Sequence, residues 1–263
     1  MDLGLKGKVA LVAAASKGLG RASAHALAAE GATVIICGRN ERDVQDTARE
    51  ITAATGSMVV PVKADVANPA DIKRFVDTAR DQFGTVHVLV NNAGGPPVGS
   101  ILELSDDAWE KGFQLTMMSM VRMTREVLPM MARQRWGRII TITSFVAKQP
   151  INELILSASV RPGIHALSKI LANVHAKDNI TINAVCPGNI LTKRQEDLNR
   201  ARAEEKKMKL EEYLLEAAKQ IPAGRMGKPG EIGNVVAFLA SEQAAYINGV
   251  TLLVDGGLTK GVN

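Results

Sequence analysis

A chain of 263 residues, 46% hydrophobic and 22% charged, is long enough to bury one large core and too apolar to be disordered. No apolar run reaches bilayer-spanning length, and the opening residues do not read as a secretion signal. The net charge of +5 comes from scattered basic residues and aromatics make up only 3%, so no nucleic-acid surface is expected and an anionic cofactor accounts equally well for the excess.

The first element is an apolar run of Val9, Leu11 and Val12, the pattern of a strand buried on both faces. Small residues follow from Ala13 to Ser16, then Gly18 and Gly20. A helical pattern through Ala22, Ala26, Leu27 and Ala29 stops at Gly31. A strand, a small-residue turn and a helix bring backbone N–H groups and a positive helix end to one point, which suits a phosphate. A second strand over 33–37 ends at Gly38-Arg39, and a helix over 41–54 is closed by Gly56. A third strand is expected over 58–62, with Pro61 marking an irregular end or a bulge. Asn68-Pro69 opens a helix that runs to Phe83 and stops at Gly84.

The fourth strand covers 86–90. Ser105 caps a long helix reaching about 134, and a fifth strand covers 139–143. A helix runs through Ile164, Leu167, Ile170 and Leu171, with Ser157 expected as its N-cap and Pro162 in its first turn. A sixth strand spans 181–185, a highly charged helix-prone segment spans 192–220, a helix opens at Pro229, and a last strand spans 251–254. Strands alternating with helices predict a doubly wound, mainly parallel sheet in one α/β domain over 1–263. Cys37 and Cys186, the only cysteines, lie in strand-like runs, so two free buried thiols in a reducing cytoplasm are expected.

The tip of the second strand bears on the cofactor. An acid about 20 residues past the glycines receives the ribose hydroxyls of NAD. Here the tip is Gly38-Arg39. The planar fork of Arg39, with Lys17 nearby, suits a 2′-phosphate, so NADP(H) is expected over NAD(H). An Arg39 that is merely solvated would leave the preference open.

Several motifs, in order, resemble those of the short-chain dehydrogenase/reductase family over nearly the whole chain, in the manner of the 3-oxoacyl-carrier-protein reductases. Ala14-Ala15-Ser16-Lys17-Gly18-Leu19-Gly20 resembles the family's glycine turn, with Ala14 in place of its first glycine. Asp65-Val66 resembles the adenine-holding pair, and Asn91-Asn92-Ala93-Gly94 the central-strand signature. Pro187-Gly188-Asn189-Ile190-Leu191-Thr192 resembles the segment that grips the nicotinamide amide. Arg225 to Glu231 and Asp255-Gly256-Gly257 match the C-terminal pattern. The resemblance implies a seven-stranded Rossmann sheet, a helical substrate lid at about 192–222, and a homotetramer or homodimer. It implies cofactor contacts at Ala14, Ser16, Lys17, Gly18, Leu19, Gly20, Asp65, Val66, Asn91, Ala93, Gly94, Arg161, Pro187, Gly188, Ile190 and Thr192, with Arg39 at the 2′-phosphate.

Members of the family usually carry an Asn-Ser-Tyr-Lys tetrad. The serine maps onto Ser144, the tyrosine onto Ser157, the lysine onto Arg161 and the asparagine onto Thr116. The only tyrosines are Tyr213 and Tyr246, so no shift of register restores the missing one. Arg161 can hold ribose hydroxyls and a developing alkoxide, but it does not readily give up a proton. Ser157 is a weaker acid than tyrosine, and loss of a positioned acid costs about 10²–10⁴ in rate. The expectation is an NADP(H)-dependent oxidoreductase acting on a small-molecule carbonyl or alcohol with atypical proton donation. The alternatives are a catalytically weak or inactive nucleotide-binding sensor or partner subunit and, last, a non-redox enzyme such as a lyase. His165 and Lys169 are expected to pack or face solvent rather than act as an acid–base pair. Met117, Met118, Met120, Met123, Met130 and Met131 are expected in a core or subunit interface. Leu210, Leu214, Leu215 and Ala218 give the charged segment an apolar face, and Tyr213 is its remote candidate for reaching the site.

Overall fold

The computed structural model describes residues 2–261. Seven strands form one wholly parallel sheet in the order β3-β2-β1-β4-β5-β6-β7. They are β1 (Val9–Val12), β2 (Thr33–Gly38), β3 (Val59–Lys63), β4 (Val88–Asn91), β5 (Gly137–Ile142), β6 (Ile180–Pro187) and β7 (Thr251–Val254). Each crossover carries helix: α1 (Gly18–Ala29), α2 (Glu41–Thr55), α3 (Pro69–Phe83), α4 (Asp106–Phe113), α5 (Ser119–Gln134), α6 (Ile155–His175), α7 (Lys193–Glu205), α8 (Leu210–Lys219) and α9 (Pro229–Ala240).

The sheet separates two cores. One packs α1 and α9 onto β1, β4 and β5 through Leu27, Val236 and Ile140. The other packs α3 and α5 onto the opposite face through Phe75, Met123 and Leu89. β1 and β4 are buried along their whole length, which is why they read as apolar runs without alternation; β6 is buried as fully, although Thr181 and Asn183 interrupt its apolar residues. Among the described residues no helix is long and apolar enough to cross a membrane.

The expected cap at Asn68 and the glycine stops translate directly, and the structure adds a cap at Asn40. Asn40 and Asn68 accept from the first-turn N–H groups of α2 and α3, and Gly56 and Gly84 close those helices with φ of 72° and 76°. Ser105 caps α4, which passes through one π turn, Gln114–Met118, into α5.

Two local expectations are corrected. Pro61 makes no bulge, because β3 is the edge strand and Pro61 stays in register opposite Ile36, its missing N–H costing no ladder bond. Ser157 does not cap α6, which begins at Ile155, so Ser157 lies inside the first turn and Pro162 lies well within the helix. The proline forfeits one helical hydrogen bond, but Leu156, Arg161 and Ile164 around it are buried, and tertiary packing carries the helix past it.

Strand order reverses between β1 and β4, and at this switch point the two neighbouring loops part at the carboxyl ends of the strands. The crevice is held open by sequence. Asn92 Nδ2 donates to the carbonyls of Ala13 and Ala14, 3.1 Å each, tying the β4 loop to the β1 turn. Ala14 N–H reaches Cys37 Sγ at 3.4 Å, and Thr47 donates to the Ser16 carbonyl at 2.9 Å.

Candidate active site

Two cavities open side by side over the switch point and share Leu19, Ala93, Thr192 and Arg194. The first to be met along the chain measures about 480 Å³ and is lined by Ala14, Ser16, Lys17, Gly18, Arg39, Asp65, Val66 and Gly94. At its floor α1 begins at Gly18, φ +59°, and its N-cap Lys17 supplies no side-chain acceptor. The first N–H groups of α1 therefore lack the side-chain partner that α2 and α3 have, and a phosphate group answers that need. Lys17 is held 2.7 Å from Asp43, while Arg39 stands exposed at the rim beside Gly38.

Ala14, where the family turn has glycine, is left-handed at φ 47°. That conformation costs an L-residue about 1–2 kcal/mol, against about 0.4–1 kcal/mol for the freer unfolded chain of glycine. Ala14→Gly is therefore expected to stabilise the protein by about 0.5–1 kcal/mol. A raised denaturation midpoint at unchanged slope checks it, and a lowered midpoint would refute the strain argument.

Two of the expected cofactor residues face neither large cavity. A Cβ on Gly20 would lie 2.6 Å from the Ala14 carbonyl and 2.7 Å from Asn92 Nδ2, so Gly20 serves the close packing of α1 on the turn. Asn91, 2% exposed, donates to Thr124 and Thr141 at 3.3 Å each and braces β4 against α5 and β5. Gly188 has a similar reason. A Cβ there would meet Asp255 Cα at 2.7 Å, which explains why its segment and Asp255-Gly256-Gly257 come as a pair. Arg225 pairs with Glu231 at 2.6 Å, and Glu231 also accepts from the Lys228 N–H at the head of α9.

The second cavity, about 160 Å³, brings Ser144, Ser157 and Arg161 together with Pro187, Gly188 and Ile190. Ser144 follows β5 and accepts from the Val146 N–H at 3.3 Å, which orients its oxygen and leaves its own proton free to donate. Arg161 is one helical turn beyond Ser157 on α6. Its Nε donates to Ser157 Oγ at 2.9 Å and its Nη1 to the Ile142 carbonyl at 3.3 Å. Of five guanidinium N–H groups these bonds use two, so three remain for the cavity. Burial first, and the charge of Arg194 second, push Arg161 down to about 10, still protonated at neutral pH.

Thr116 does not share this cavity. It sits in the π turn, its hydroxyl donates back to the Gly112 carbonyl at 2.6 Å, and it borders a separate void of about 10 Å³ with Asn91 and Arg161. Tyr213 is buried at 8% exposure and lines neither large cavity, and Leu215 on the same helix is 65% exposed. In the segment over 192–222 it is α7 whose face meets the cavity. Arg194, Leu198 and Arg202 stand four residues apart on one face of it, beginning two residues after the N-cap Thr192. Sequence reading missed this row because α7 is charged on every side, although the repeat of four was there to be read.

Behind Ser144 lies a polar cluster of buried Thr143 and Cys186 with half-buried His165. Thr143 Oγ1 is 2.9 Å from His165 Nε2, 3.1 Å from Cys186 Sγ and 3.1 Å from the Val185 carbonyl. Burial, then Lys148 and Arg161, push His165 down to about 4, and burial raises the Cys186 thiol. The pair is thus a neutral imidazole and a thiol, as packing requires. An unfolded histidine takes its proton near 6.5 while the folded one resists to about 4, so the unfolded state binds the extra proton between those values. Stability is therefore expected to fall as pH drops from about 6.5 towards 4, and His165→Gln is expected to flatten that slope in denaturation midpoints taken across the range.

The comparisons with known proteins agree with this architecture. The family model described as Enoyl-(Acyl carrier protein) reductase matches residues 13–259. The 3-oxoacyl-[acyl-carrier-protein] reductase FabG of Escherichia coli (strain K12) is 37% identical over 256 residues, covering 97% of this chain and 99% of that protein. The L-sorbose reductase of Gluconobacter frateurii, solved with NADPH and L-sorbose, superposes with a TM-score of 0.95 at 33% identity and full coverage of both chains. A 7α-hydroxysteroid dehydrogenase solved with NADH and 7-oxo glycochenodeoxycholic acid gives a TM-score of 0.88 at 27% identity, covering 100% of this chain and 98% of that one. The chain belongs to the short-chain dehydrogenase/reductase family.

Proposed function

We propose that this protein is an NADP(H)-dependent oxidoreductase that interconverts a carbonyl and an alcohol. The observation that carries the reading is that Ser144, Ser157 and Arg161 line one cavity that adjoins the dinucleotide-sized crevice. The crevice fits the cofactor: the uncapped start of α1 would take its pyrophosphate, Asp65 and Val66 its adenine, and Pro187 to Thr192 its amide. Bound there, it would supply the hydride.

The side chains then divide the remaining work. Ser144 donates to the substrate oxygen. Arg161 offers its free N–H groups to the charge that grows on that oxygen, in a buried site where such stabilisation is strong. The Ser157 hydroxyl passes its proton to the oxygen and regains one from water, and the Arg161 Nε–H bond to Ser157 Oγ supports the serine oxygen meanwhile. Helices α7 and α8 form the lid. Apolar side chains left exposed on α4 and α6, Phe113, Ile170 and Val174, support a homo-oligomer formed through these helices.

The test is NADPH oxidation with a panel of aldehydes and ketones. Turnover on at least one is expected. Bound cofactor with no turnover on any would favour a nucleotide-binding sensor or partner subunit. Arg39→Ala is expected to lower the NADPH to NADH ratio of kcat/KM by about tenfold, the loss of one phosphate–guanidinium pair. An unchanged ratio would mean that Arg39 is only solvated.

A further inference from the structure

The smaller cavity is a cationic box. Three guanidinium groups line it, from Arg161, Arg194 and Arg202, and no aspartate or glutamate does. Among the described residues Arg161 has no carboxylate partner, only Ser157 Oγ and the Ile142 carbonyl. Arg194 donates to the Pro96 carbonyl at 2.9 Å and packs so tightly over Gly95 that a Cβ there would meet its guanidinium. Arg202, farther out on the same helix face, lies 3.8 Å from the exposed Glu153 and so is partly answered.

Arg161 is held out of water without a counter-ion, which is costly, while Arg194 and Arg202 reach the cavity from the solvent side of α7; an anion in the cavity would offset the cost of the first and bridge to the other two. The phosphates of a dinucleotide do not fill the need. Their place is the start of α1 in the other cavity, which Arg161 and Arg202 do not line, whereas Arg194 stands between the two cavities and borders both. The missing anion therefore arrives with the substrate. A planar guanidinium fork matches a planar carboxylate, and a cavity of about 160 Å³ that also admits the nicotinamide beside Pro187 to Thr192 leaves room only for a small acid.

We propose that the substrate is a small oxo acid, or the matching hydroxy acid, with a free carboxylate bound by Arg194 and supported by Arg202. Its carbonyl oxygen faces Ser144 and Arg161. This rests on the reductase reading above and narrows it, since a carrier-bound thioester or a neutral sugar brings no such charge.

The test compares pyruvate, acetoacetate and levulinate with their methyl esters, using the full-length protein and NADPH. The expected result is a kcat/KM at least tenfold higher for one of the acids than for its ester. Arg194→Met is expected to lower that acid-to-ester ratio at least tenfold, and Arg194→Lys to restore part of it. Because the ratio is taken within each variant, a general effect on folding or cofactor affinity cancels. A ratio near one, a ratio indifferent to Arg194→Met, or a preference for dihydroxyacetone phosphate over every acid would each overturn the carboxylate assignment. Should no carbonyl be turned over, the reductase reading fails separately. Calorimetric titration of the NADP⁺-mixed protein with lactate and 3-hydroxybutyrate against their methyl esters then decides. Saturable binding of the acid, lost in Arg194→Met, upholds the carboxylate site, and no binding of either acid removes it.

Discussion

Restoring the family tetrad with Thr116→Asn, Ser157→Tyr and Arg161→Lys is expected to raise NADPH-dependent reduction of generic ketones by about 100-fold or more, the contribution of a positioned general acid. The structure says why the three changes belong together. Position 157 lies in the first turn of α6 and faces the cavity, so a tyrosine there enters the space where a carbonyl oxygen would sit. Position 161 is one turn on, where a lysine can lower the phenol's pKa by its charge, as a guanidinium fixed to Ser157 and Ile142 does for a serine only weakly. Position 116 starts from a hydroxyl spent on the Gly112 carbonyl, and an asparagine in the same π turn has the longer reach to leave that bond. Steady-state rates, with NADPH affinity measured alongside, check the result. Flat activity in a variant that still binds NADPH would mean that the reacting carbonyl lies elsewhere.

Much of this molecule is written in local patterns. Buried strands with no alternation, the Asn-Pro helix start of α3, and glycines just past α2 and α3 are each decided by a few neighbouring residues, so the order of elements and the parallel sheet follow from the chain alone. The co-location of Ser144, Ser157 and Arg161 was legible too, through the spacing carried by the family resemblance. What depends on long-range packing was not. Pro61 is harmless because β3 is an edge, and edge status depends on strand order. Pro162 sits within α6 because burial on both sides outweighs its local cost. Gly20 and Asn91 belong to the motifs of the site but brace the crevice from behind, a distinction made by atoms 70 or more residues away in sequence in the case of Gly20 and Asn92. Arg194 and Arg202 became visible only once α7 had a face and the cavity a wall.

Arg161→Met is expected to lower kcat/KM for carbonyl reduction by about 10²–10³, the range seen when one donor to a developing oxyanion is removed. Its effect on stability is expected to be small, and the two together separate function from fold. Removing Arg161 leaves Ser157 Oγ and the Ile142 carbonyl without their donor, at about 1–3 kcal/mol for each buried group. Against this stands the relief of a buried cation with no carboxylate partner, and apolar replacement of buried charge is neutral to stabilising by about 1–4 kcal/mol. The opposing effects are of similar size, so the midpoint of unfolding should move by no more than a few degrees. Arg161→Lys keeps the charge but loses the fork, and should fall between wild type and Arg161→Met in rate. A stable Arg161→Met protein with undiminished turnover would remove Arg161 from the chemistry. A stable one that has lost turnover, with NADPH still bound, would tie the buried guanidinium to the oxygen that receives charge rather than to the stability of the fold.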